Sequence, residues 1–357
     1  MSAIAHSRLL GSGFVVGEHK VTNEVLSKVC DTTDEWIKER SGIEERYFVR
    51  EGTGTSDLGL GAAKKALENA KVDAKEIDYI VVATMTPDYY FPGVGSLIQA
   101  KLGLGNIPAL DIRQQCSGFI YGLQVCDALI RSGAAKKLLF VGCEIHSGFM
   151  PFSKKGWDVV MGDSNVPISQ EEKDWNSKFR HLLVLFGDAA GAVVMGPSED
   201  GKRGLLGFSL HSDGNNVESL YVPSAGFKYR PYFSEAHVKE GRFVPVMDGR
   251  TVFKMAVTKM PEAVVEVCQK TGHTLDDINL VIPHQANLRI SEGVQKQLKL
   301  PDSRMYNNIQ RYGNTTAATI PIAYDECRTS GRIKQGDLVC FVGLGAGFHW
   351  GAALMRE

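Results

Sequence analysis

The sequence has no excess of charge of either sign. It contains 40 Lys and Arg residues against 41 Asp and Glu residues, which leaves a formal net charge of −1 over 357 residues. A chain so close to neutrality has no global attraction for nucleic acid or for an anionic membrane surface. We therefore expect no nucleic-acid partner, and any basic site must be local.

Long apolar runs are also missing. No stretch reaches the roughly 20 residues that a membrane-spanning helix needs, and residues 1–8 (MSAIAHSR) lack the charged start and apolar core of a secretory signal. The seven cysteines are an odd number scattered through apolar segments, which is typical of reduced thiols rather than of a disulfide framework. These features predict a cytoplasmic protein without a membrane span, and we predict no metal site.

What the sequence does contain is an alternation of short β-branched runs with longer helical patterns. At 43% hydrophobic residues, the chain can bury a core of about two domains. The predicted strands are 77–83, 137–142, 192–195, 278–282 and 338–342. The predicted helices are 58–69, 95–102, 118–131, 252–270 and 288–298. Alternation of this kind predicts a layered α/β fold with mostly parallel strands.

An internal repeat divides the chain into two halves, 1–200 and 201–357. The segment AKEIDYIVV (74–82) is echoed by TLDDINLVI (274–282), and RSG…LLFVG is echoed by TSG…VCFVG. Cys116 precedes Gly133 by 17 positions, and Asn314 precedes Gly331 by 17 positions. A Cys and an Asn therefore occupy matching places in the two copies, which predicts a site between the halves.

Cys116 is the predicted nucleophile. It lies in DIRQQCSG, where an extended stretch runs into Cys116 and Ser117-Gly118 opens the next helix. The unpaired N–H groups and dipole of a helix start favour thiolate over thiol. A thiolate attacks thioesters readily, and the thioester it forms is a good acyl donor in turn. The other six cysteines fall in helical or strand patterns and are predicted to be core residues.

Two further side chains and one turn can assist such a nucleophile. His284 follows a buried strand in VIPHQANLR, and it can donate a proton or a neutral N–H bond. Asn314 lies at a loop-to-helix turn, where its amide can hydrogen-bond a carbonyl or enolate oxygen, although it can also serve as an N-cap. The GLGAG turn (343–347), with Gly345 at its centre, is followed by a returning strand rather than a helix, so we predict that it brings backbone N–H groups near a substrate oxygen.

Together these motifs resemble those of the β-ketoacyl-acyl-carrier-protein synthase III family. The shared segments are DTTDEWI (31–37) with RSGI (40–43), CSG (116–118), FGDAAGA (186–192), PHQANLRI (283–290), GNT (313–315) and GLGAGFHWG (343–351). They span nearly the whole chain in order. The resemblance implies a fold of the thiolase superfamily, with duplicated α/β halves that form a layered αβαβα sandwich.

The resemblance also implies roles for individual residues. Cys116 takes an acyl group from acyl-CoA; His284 and Asn314 assist decarboxylation of malonyl carrier protein and stabilise the enolate; Ala346 and Cys116 supply the oxyanion hole. Other implied positions are CoA contacts (Thr32, Trp36, Arg40), basic positions at the tunnel mouth (Lys254, Arg289) and a residue that crosses a dimer interface to line the partner's acyl pocket (Phe91). Implied partners are acyl-CoA, an acyl carrier protein and a second copy, with no cofactor beyond the substrates.

The leading function is a decarboxylative Claisen condensation that initiates fatty-acid or related acyl-chain synthesis. Asn314 disfavours synthases with two histidines, the 343–347 turn lacks the second cysteine of a thiolase, and no glutamate lies near 84–88 as in HMG-CoA synthases. Two alternatives remain open. One is a specialised enzyme that condenses a non-acetyl primer or transfers an acyl group to oxygen or nitrogen, and the other is a non-catalytic acyl-binding protein.

Some stretches depart from the family pattern. The segment 147–181 is longer than expected, a second aromatic-rich segment covers 221–243, and Ala189 and Ala346 stand where glycine is common. The 147–181 segment could be a surface loop with its own small apolar cluster. Our hypothesis is instead that it borders the acyl tunnel and adapts it to a primer longer than acetyl, because each buried methylene contributes on the order of 0.8 kcal/mol.

Overall fold

The computed structural model describes residues 6–199 and 201–357. In these residues the strands are β1 (Ser7–Val16), β2 (His19–Thr22), β3 (Glu45–Phe48), β4 (Tyr79–Ala83), β5 (Ala109–Ile112), β6 (Leu138–Glu144), β7 (Ala189–Pro197), β8 (Gly204–Ser212), β9 (Leu220–Tyr221), β10 (Val246–Met247), β11 (Leu280–Pro283), β12 (Leu338–Gly345) and β13 (His349–Arg356). The helices are α1 (Asn23–Ser27), α2 (Asp34–Ser41), α3 (Thr55–Ala70), α4 (Val94–Lys101), α5 (Gly118–Arg131), α6 (Lys154–Val160), α7 (Gln170–Ser177), α8 (Arg180–Leu183), α9 (Glu235–Lys239), α10 (Gly249–Thr271), α11 (Leu288–Leu298), α12 (Ile309–Tyr312) and α13 (Thr319–Thr329).

Two main sheets repeat one strand order. The first sheet runs β1-β7-β6-β4-β5, and the second runs β8-β13-β12-β11 when read in the matching direction. The second sheet therefore repeats the first without its edge strand β5. This correspondence confirms the duplicated architecture. The predicted boundary at residue 200 falls between β7 and β8, and the division into two halves stays a prediction.

The prediction of mostly parallel strands is confirmed by strand direction, and each main sheet contains one reversed strand, β7 in the first and β13 in the second. β4 pairs parallel with β5 and β6, and β11 pairs parallel with β12, but β7 is antiparallel to both of its neighbours and so is β13. Only three residues separate β12 from β13, and so short a turn can join only antiparallel strands. The short GLGAG turn therefore makes β13 antiparallel to β12, which the alternation of strands and helices did not indicate.

A helix layer lies between the two sheets. α5 contacts β6 and β4 of the first sheet as well as β13 and β12 of the second, and α13 contacts β1, β7 and β11. One apolar cluster joins both sheets through these helices, with Phe119 of α5 and Tyr324 of α13 packed edge-on against Phe341 of β12. α3 packs on the first sheet and α10 on the second. The layers are therefore α, β, α, β and α, as predicted.

The two central helices place the matching residues of the repeat. α5 begins two residues after Cys116, and α13 begins five residues after Asn314. The anchoring glycines end these helices with left-handed backbone angles, φ +79° at Gly133 and φ +72° at Gly331, which glycine adopts without strain. Cys116 and Asn314 thus lie at corresponding starts of the central layer.

A fully buried arginine supports the wall beside Asn314. The Arg46 guanidinium donates to the Val184 carbonyl at 2.8 Å and to Asn23 Oδ1 at 2.8 Å. The next carbonyl, that of Leu185, accepts the main-chain N–H of Asn314 at 2.8 Å. The Arg46 Nε has no partner, but the other two guanidinium nitrogens donate to neighbouring groups, and these bonds hold the Val184–Leu185 segment to which Asn314 is bonded.

Segment 147–181 forms α6 and α7 and continues into α8. Its apolar side chains Met150, Phe152, Val159, Val160 and Met161 belong to a core cluster that also holds residues of α1, α2 and β3. None of the helices in residues 6–199 and 201–357 is both long and apolar enough to cross a membrane.

Candidate active site

Cys116 sits in a tight turn between a strand and a helix. β5 ends at Ile112, a single 3₁₀ turn covers Gln115–Ser117, and α5 starts at Gly118. Gln115 has φ +46°, a left-handed conformation that a side chain with Cβ adopts only at a cost. Strain of this kind persists where the surroundings enforce it. Here it aims the next residue, Cys116, which is 9% exposed.

Burial opposes the thiolate that the helix start was predicted to favour. Burial and the nearby Glu144 together raise the pKa of the Cys116 thiol to about 12. Cys116 therefore rests as a thiol, and its proton must leave during attack on an acyl group.

Glu144 is a buried carboxyl group at the end of β6. Its side chain accepts hydrogen bonds from the hydroxyls of Thr84 and Thr86 and from the main-chain N–H of Met85. Burial nevertheless raises its pKa to about 7. Segment 84–88 contains no glutamate, as the sequence analysis noted. Its two threonines nevertheless bind Glu144, which comes from β6.

The final glycine turn touches the nucleophile directly. A Cβ placed on Gly345 would lie 2.9 Å from the Cys116 nitrogen and 3.0 Å from the Ser117 nitrogen. Only glycine therefore lets the end of β12 approach these amides so closely. Ala346 follows immediately in the turn before β13. The predicted proximity of this turn to Cys116 is present in the structure.

His284 lies just after β11 and is 2% exposed. Its Nδ1 is 2.7 Å from Thr319 Oγ1, while Nε2 is buried and has no protein partner. The Thr319 hydroxyl also reaches the Thr316 carbonyl at 3.0 Å, and it can give its hydrogen to only one of the two. When the hydroxyl donates to Nδ1 rather than to the Thr316 carbonyl, the imidazole proton lies on Nε2. Burial lowers the pKa of His284 to about 3, so the ring is neutral.

Asn314 makes the turn-capping contact that its position suggested, and its substrate-binding role stays a prediction. Its Oδ1 accepts the main-chain N–H of Thr316 at 2.9 Å, which is a turn-capping bond. Because that bond occupies the oxygen, the side-chain NH₂ is the group left to bind a substrate oxygen. Asn314 is 5% exposed.

Sequence reasoning missed His146, which is 2% exposed. Its ring stacks on Phe186 with centroids 4.3 Å apart, and its Nε2 makes a very short hydrogen bond with Thr316 Oγ1. Thr316 has φ +51°, which is strained for a β-branched residue. His146 follows the carboxyl end of β6 as His284 follows that of β11, so the rule that selected His284 could have found it.

One cavity of about 610 Å³ unites the chemistry-bearing residues. Cys116, His284, Asn314, Arg40 and Arg289 all line it, together with apolar side chains such as Phe186 and Leu344. Cys116 is the only cysteine among its lining residues. Within residues 6–199 and 201–357, no group of three or more His, Cys, Asp or Glu side chains could hold a metal ion.

Trp36 lies beside this cavity with two cations. The Arg40 guanidinium carbon is 4.5 Å from the indole centroid, and the Arg180 guanidinium carbon is 4.4 Å from it. Arg180 comes from the end of the long 147–181 segment and was not predicted. No motif marked it, because only the packing of α8 against α2 reveals its position.

The remaining predicted positions lie outside the cavity lining. Lys254 is exposed on α10 next to the lining residue Phe253, and Thr32 is buried with an unpartnered hydroxyl. Phe91 is 80% exposed and does not approach Cys116 within its own chain.

The hypothesis that segment 147–181 borders the acyl tunnel stays a prediction. Its apolar residues do not form a separate surface cluster, because they pack in the core cluster described above, which also contains the cavity-lining residues Leu185 and Phe186. Phe149 and Met150 line a second, small cavity with His146 and Phe186, and Phe186 also lines the main cavity. This end of the segment is therefore adjacent to the main cavity.

Comparisons with known proteins show similarity to one family along nearly the whole chain. Residues 268–357 match the family model for the 3-oxoacyl-[acyl-carrier-protein] synthase III C-terminal region, and residues 110–166 and 168–214 match the model for 3-oxoacyl-[acyl-carrier-protein] synthase III. A β-ketoacyl-[acyl-carrier-protein] synthase III of Geobacillus kaustophilus is 41% identical over 348 residues, 98% of each chain.

Solved structures show the same likeness. The 3-oxoacyl-[acyl-carrier-protein] synthase III of Aquifex aeolicus is 37% identical with a TM-score of 0.84, covering 98% of this chain and 100% of that one. The priming β-ketosynthase of the R1128 polyketide biosynthetic pathway is 31% identical with a TM-score of 0.82, covering 99% of this chain and 96% of that one.

Proposed function

The chain belongs to the β-ketoacyl-acyl-carrier-protein synthase III family, and we propose that it condenses an acyl-CoA primer with malonyl carrier protein through an acyl group held on Cys116. The observation that carries this proposal is the single cavity lined by Cys116, His284 and Asn314. The nucleophile comes from one half of the repeat and its two assistants from the other. Such an arrangement serves a reaction with two successive substrates.

In the first step, Cys116 attacks the thioester of acyl-CoA. The carbonyl oxygen gains negative charge, and the amides of Cys116 and Ala346 are the proposed donors to it. The close approach of Gly345 to the Cys116 nitrogen supports this assignment. CoA departs as a thiol, and the acyl group stays on Cys116 as a thioester.

In the second step, malonyl carrier protein loses carbon dioxide in the same cavity. The Nε2 of a neutral His284 and the side-chain NH₂ of Asn314 donate to the thioester oxygen of the malonyl group, which becomes an enolate. The enolate carbon attacks the acyl group on Cys116 and forms the new carbon–carbon bond. The thioester bond to Cys116 breaks in the same step, and the Cys116 sulfur leaves as a thiolate that takes up a proton to restore the thiol. These residues suffice for the chemistry, so the proposal includes no cofactor besides the two substrates.

Substrate recognition is proposed for the basic rim of the cavity. Trp36 offers an aromatic face for the adenine of CoA, and Arg40, Arg180 and the neighbouring Thr32 offer contacts to its polar groups. Arg289 at the cavity and Lys254 on the adjacent helix suit phosphopantetheine and an acidic carrier protein. A cytoplasmic location, where thiols stay reduced, also belongs to the proposal.

A homodimer is part of the proposal as well. β5 is an edge strand of its sheet, and its residues 109–111 are exposed. Tyr89, Tyr90 and Phe91 lie exposed in the loop between β4 and α4. Edge strands and clustered aromatic side chains are surfaces that soluble proteins cover, and a second copy would bring Phe91 to the partner's acyl pocket.

The decisive experiment detects both steps. Purified protein is incubated with a mixture of acyl-CoAs, and intact mass identifies the acyl group on Cys116; radiolabelled malonyl carrier protein is then added and released carbon dioxide is counted. Cys116→Ser should carry no acyl group under these conditions, whereas Cys126→Ala, which alters a buried cysteine within α5, should behave as wild type. Acylation that survives Cys116→Ser would refute the proposal.

The likeness to a priming ketosynthase favours one second candidate, a specialised condensation that starts from a non-acetyl primer. It uses the same residues and differs in the acyl group taken up. A clear preference for acetyl-CoA in the mixture of acyl-CoAs would exclude this second candidate. Acyl transfer to oxygen or nitrogen releases no carbon dioxide, and a non-catalytic acyl-binding protein would acylate no cysteine.

A further inference from the structure

One buried histidine near the site has no role in the proposed reaction. His146 lines the small cavity, and the other described residues that line it are all apolar, among them Phe149, Met150 and Leu182. An imidazole buried among such neighbours costs free energy that an aliphatic side chain would avoid. In an apolar pocket, a single polar group of this kind is the feature that selects a ligand.

The atom of His146 that lacks a partner is Nδ1. The Nε2 of the ring hydrogen-bonds Thr316 Oγ1, whereas Nδ1 is buried and has no hydrogen-bond partner within residues 6–199 and 201–357. A buried polar atom without a partner is costly, and one in a native structure needs an explanation. The volume of the small cavity is about 10 Å³, which is room for roughly one water-sized group. A single oxygen atom therefore fits beside the imidazole, and a length of carbon chain does not.

We infer that His146 Nδ1 binds a hydroxyl group on the acyl chain of the primer, so that the enzyme selects hydroxyacyl groups over alkyl groups of the same length. This inference rests on the proposed function and names the substrate class of that site. The hydroxyl occupies the small cavity, while the carbon chain stays in the main cavity between Cys116 and the shared apolar wall. His146 thus determines specificity and takes no part in making or breaking bonds.

The placement of His146 relative to Cys116 supports this assignment. Phe186 lines both cavities, and its ring stacks on that of His146 with centroids 4.3 Å apart. Cys116 follows β5 and His146 follows β6, and the carboxyl ends of parallel strands meet at the same edge of a sheet. The single turn Thr316–Ala318 contacts both β6 and the Gln115–Ser117 turn that carries Cys116. An acyl chain on Cys116 that follows the Phe186 ring therefore leads to His146.

A hydroxyl group suits His146 better than other polar groups do. If Thr316 donates to Nε2, the imidazole hydrogen lies on Nδ1, which then needs an acceptor; if Nε2 donates to Thr316, Nδ1 needs a donor. A hydroxyl can act in either way, whereas a keto oxygen can only accept. Burial lowers the pKa of His146 to about 3, so the ring is neutral and offers no charge to a carboxylate.

The expected selectivity follows from the state in which an alkyl chain would leave His146. Such a chain closes the small cavity to water and leaves Nδ1 unpaired, and a site that binds a substrate hydroxyl rejects analogues without it for this reason. The matching hydroxyacyl-CoA should therefore acylate Cys116 about tenfold faster than the acyl-CoA of equal chain length. His146→Leu removes the unpaired atom, so the alkyl group should be preferred in that variant.

The test lets matched acyl-CoAs compete for Cys116. Butyryl-CoA competes with 3-hydroxybutyryl-CoA or 4-hydroxybutyryl-CoA, hexanoyl-CoA competes with 6-hydroxyhexanoyl-CoA, and intact mass gives the ratio of the two acyl groups on each protein. One hydroxyacyl group should exceed its alkyl counterpart about tenfold in wild type and lose this advantage in His146→Leu. His146→Gln keeps hydrogen-bonding atoms and should retain part of the preference, whereas His181→Leu, which removes an exposed histidine on α8, should retain all of it.

Failure of this inference can be told apart from failure of the proposed function. If Cys116 is acylated but wild type prefers no hydroxyacyl group, or if His146→Leu keeps the wild-type preference, the inference is overturned and the proposed function stands. If no acyl-CoA reacts, the proposed function fails, and calorimetry of Cys116→Ala with the same acyl-CoAs decides the inference. Tighter binding of a hydroxyacyl-CoA that the added His146→Leu change abolishes would support it, and equal binding within every pair would overturn it.

Discussion

Gly345→Ala offers the most direct test of how the glycine turn supports the nucleophile. The added Cβ would lie 2.9 Å from the Cys116 nitrogen, 3.0 Å from the Ser117 nitrogen and 3.1 Å from the Gln114 carbonyl oxygen. Ordinary contact begins near 3.4 Å, so the two backbones must separate by about half an ångström. All three neighbours are backbone atoms, and none can move away by a change of rotamer.

The expected result is a catalytic loss with the fold intact. Moving the Cys116 amide by this distance weakens its bond to the developing oxyanion, and loss of one such donor costs about 100-fold, or about 2.7 kcal/mol of transition-state stabilisation. Acylation of Cys116 should therefore fall by about 100-fold in single-turnover assays followed by intact mass, while the far-ultraviolet circular dichroism stays unchanged.

Gly343→Ala is the matched control on the same strand. Its Cβ would meet the His284 Cβ at 3.2 Å and the Cys116 carbonyl oxygen at 3.6 Å, so a much smaller shift relieves the contact. We expect a loss of acylation below tenfold for this variant. Wild-type acylation by Gly345→Ala, or an equal loss in both variants, would refute the argument from close approach.

The remaining predictions concern protonation, assistance, recognition and stability. Burial raises the pKa of Glu144 from 4.5 to about 7, so the stability gained by its protonated form is complete below pH 4.5 and lost as the pH rises through 7; Glu144→Gln should remove about 3 kcal/mol of this pH dependence in urea unfolding at pH 4.5 and 8. His284→Ala should leave acylation of Cys116 within about threefold of wild type and lower carbon dioxide release by about 100-fold or more, and equal losses in both steps would contradict the assigned role. Trp36→Ala should raise KM for acyl-CoA about tenfold with kcat nearly unchanged, and a lower kcat at constant KM would argue against recognition. Arg46→Met leaves the Val184 carbonyl and Asn23 Oδ1 without their donor, so the free energy of unfolding should fall by about 3 kcal/mol, and an unchanged denaturation midpoint would show that the buried charge contributes little.

The sequence was informative where its pattern is local and continuous. The bounds of α5 and α11 were predicted to the residue, because apolar periodicity runs along both helices, glycines lie at both ends of α5 and Asn287 caps the start of α11. The repeat and the motifs led to Cys116, His284 and Asn314, which share one cavity. Their catalytic roles remain predictions until the assays above are made.

Other features depend on distant contacts that no local pattern encodes. β1 was not predicted, and the direction of β7 follows from its place between β1 and β6. The helix start after Cys116 can be read from sequence, whereas its depth of burial and the approach of Glu144, which raise the pKa of its thiol, cannot. Arg180 likewise reaches Trp36 across 144 positions of sequence.

The central helix layer has a consequence for how the protein can change. Because α5 and α13 begin just after Cys116 and Asn314, the spacing of the reacting groups is set inside the core rather than by surface loops. Other parts of the chain supply the apolar wall of the cavity, such as Phe186, which also lines the small adjoining cavity with Phe149 and Met150. We therefore expect reaction geometry and substrate choice to depend on separate regions of the chain. Exchanging residues 147–150 between relatives is a way to alter the primer while the chemistry stays the same.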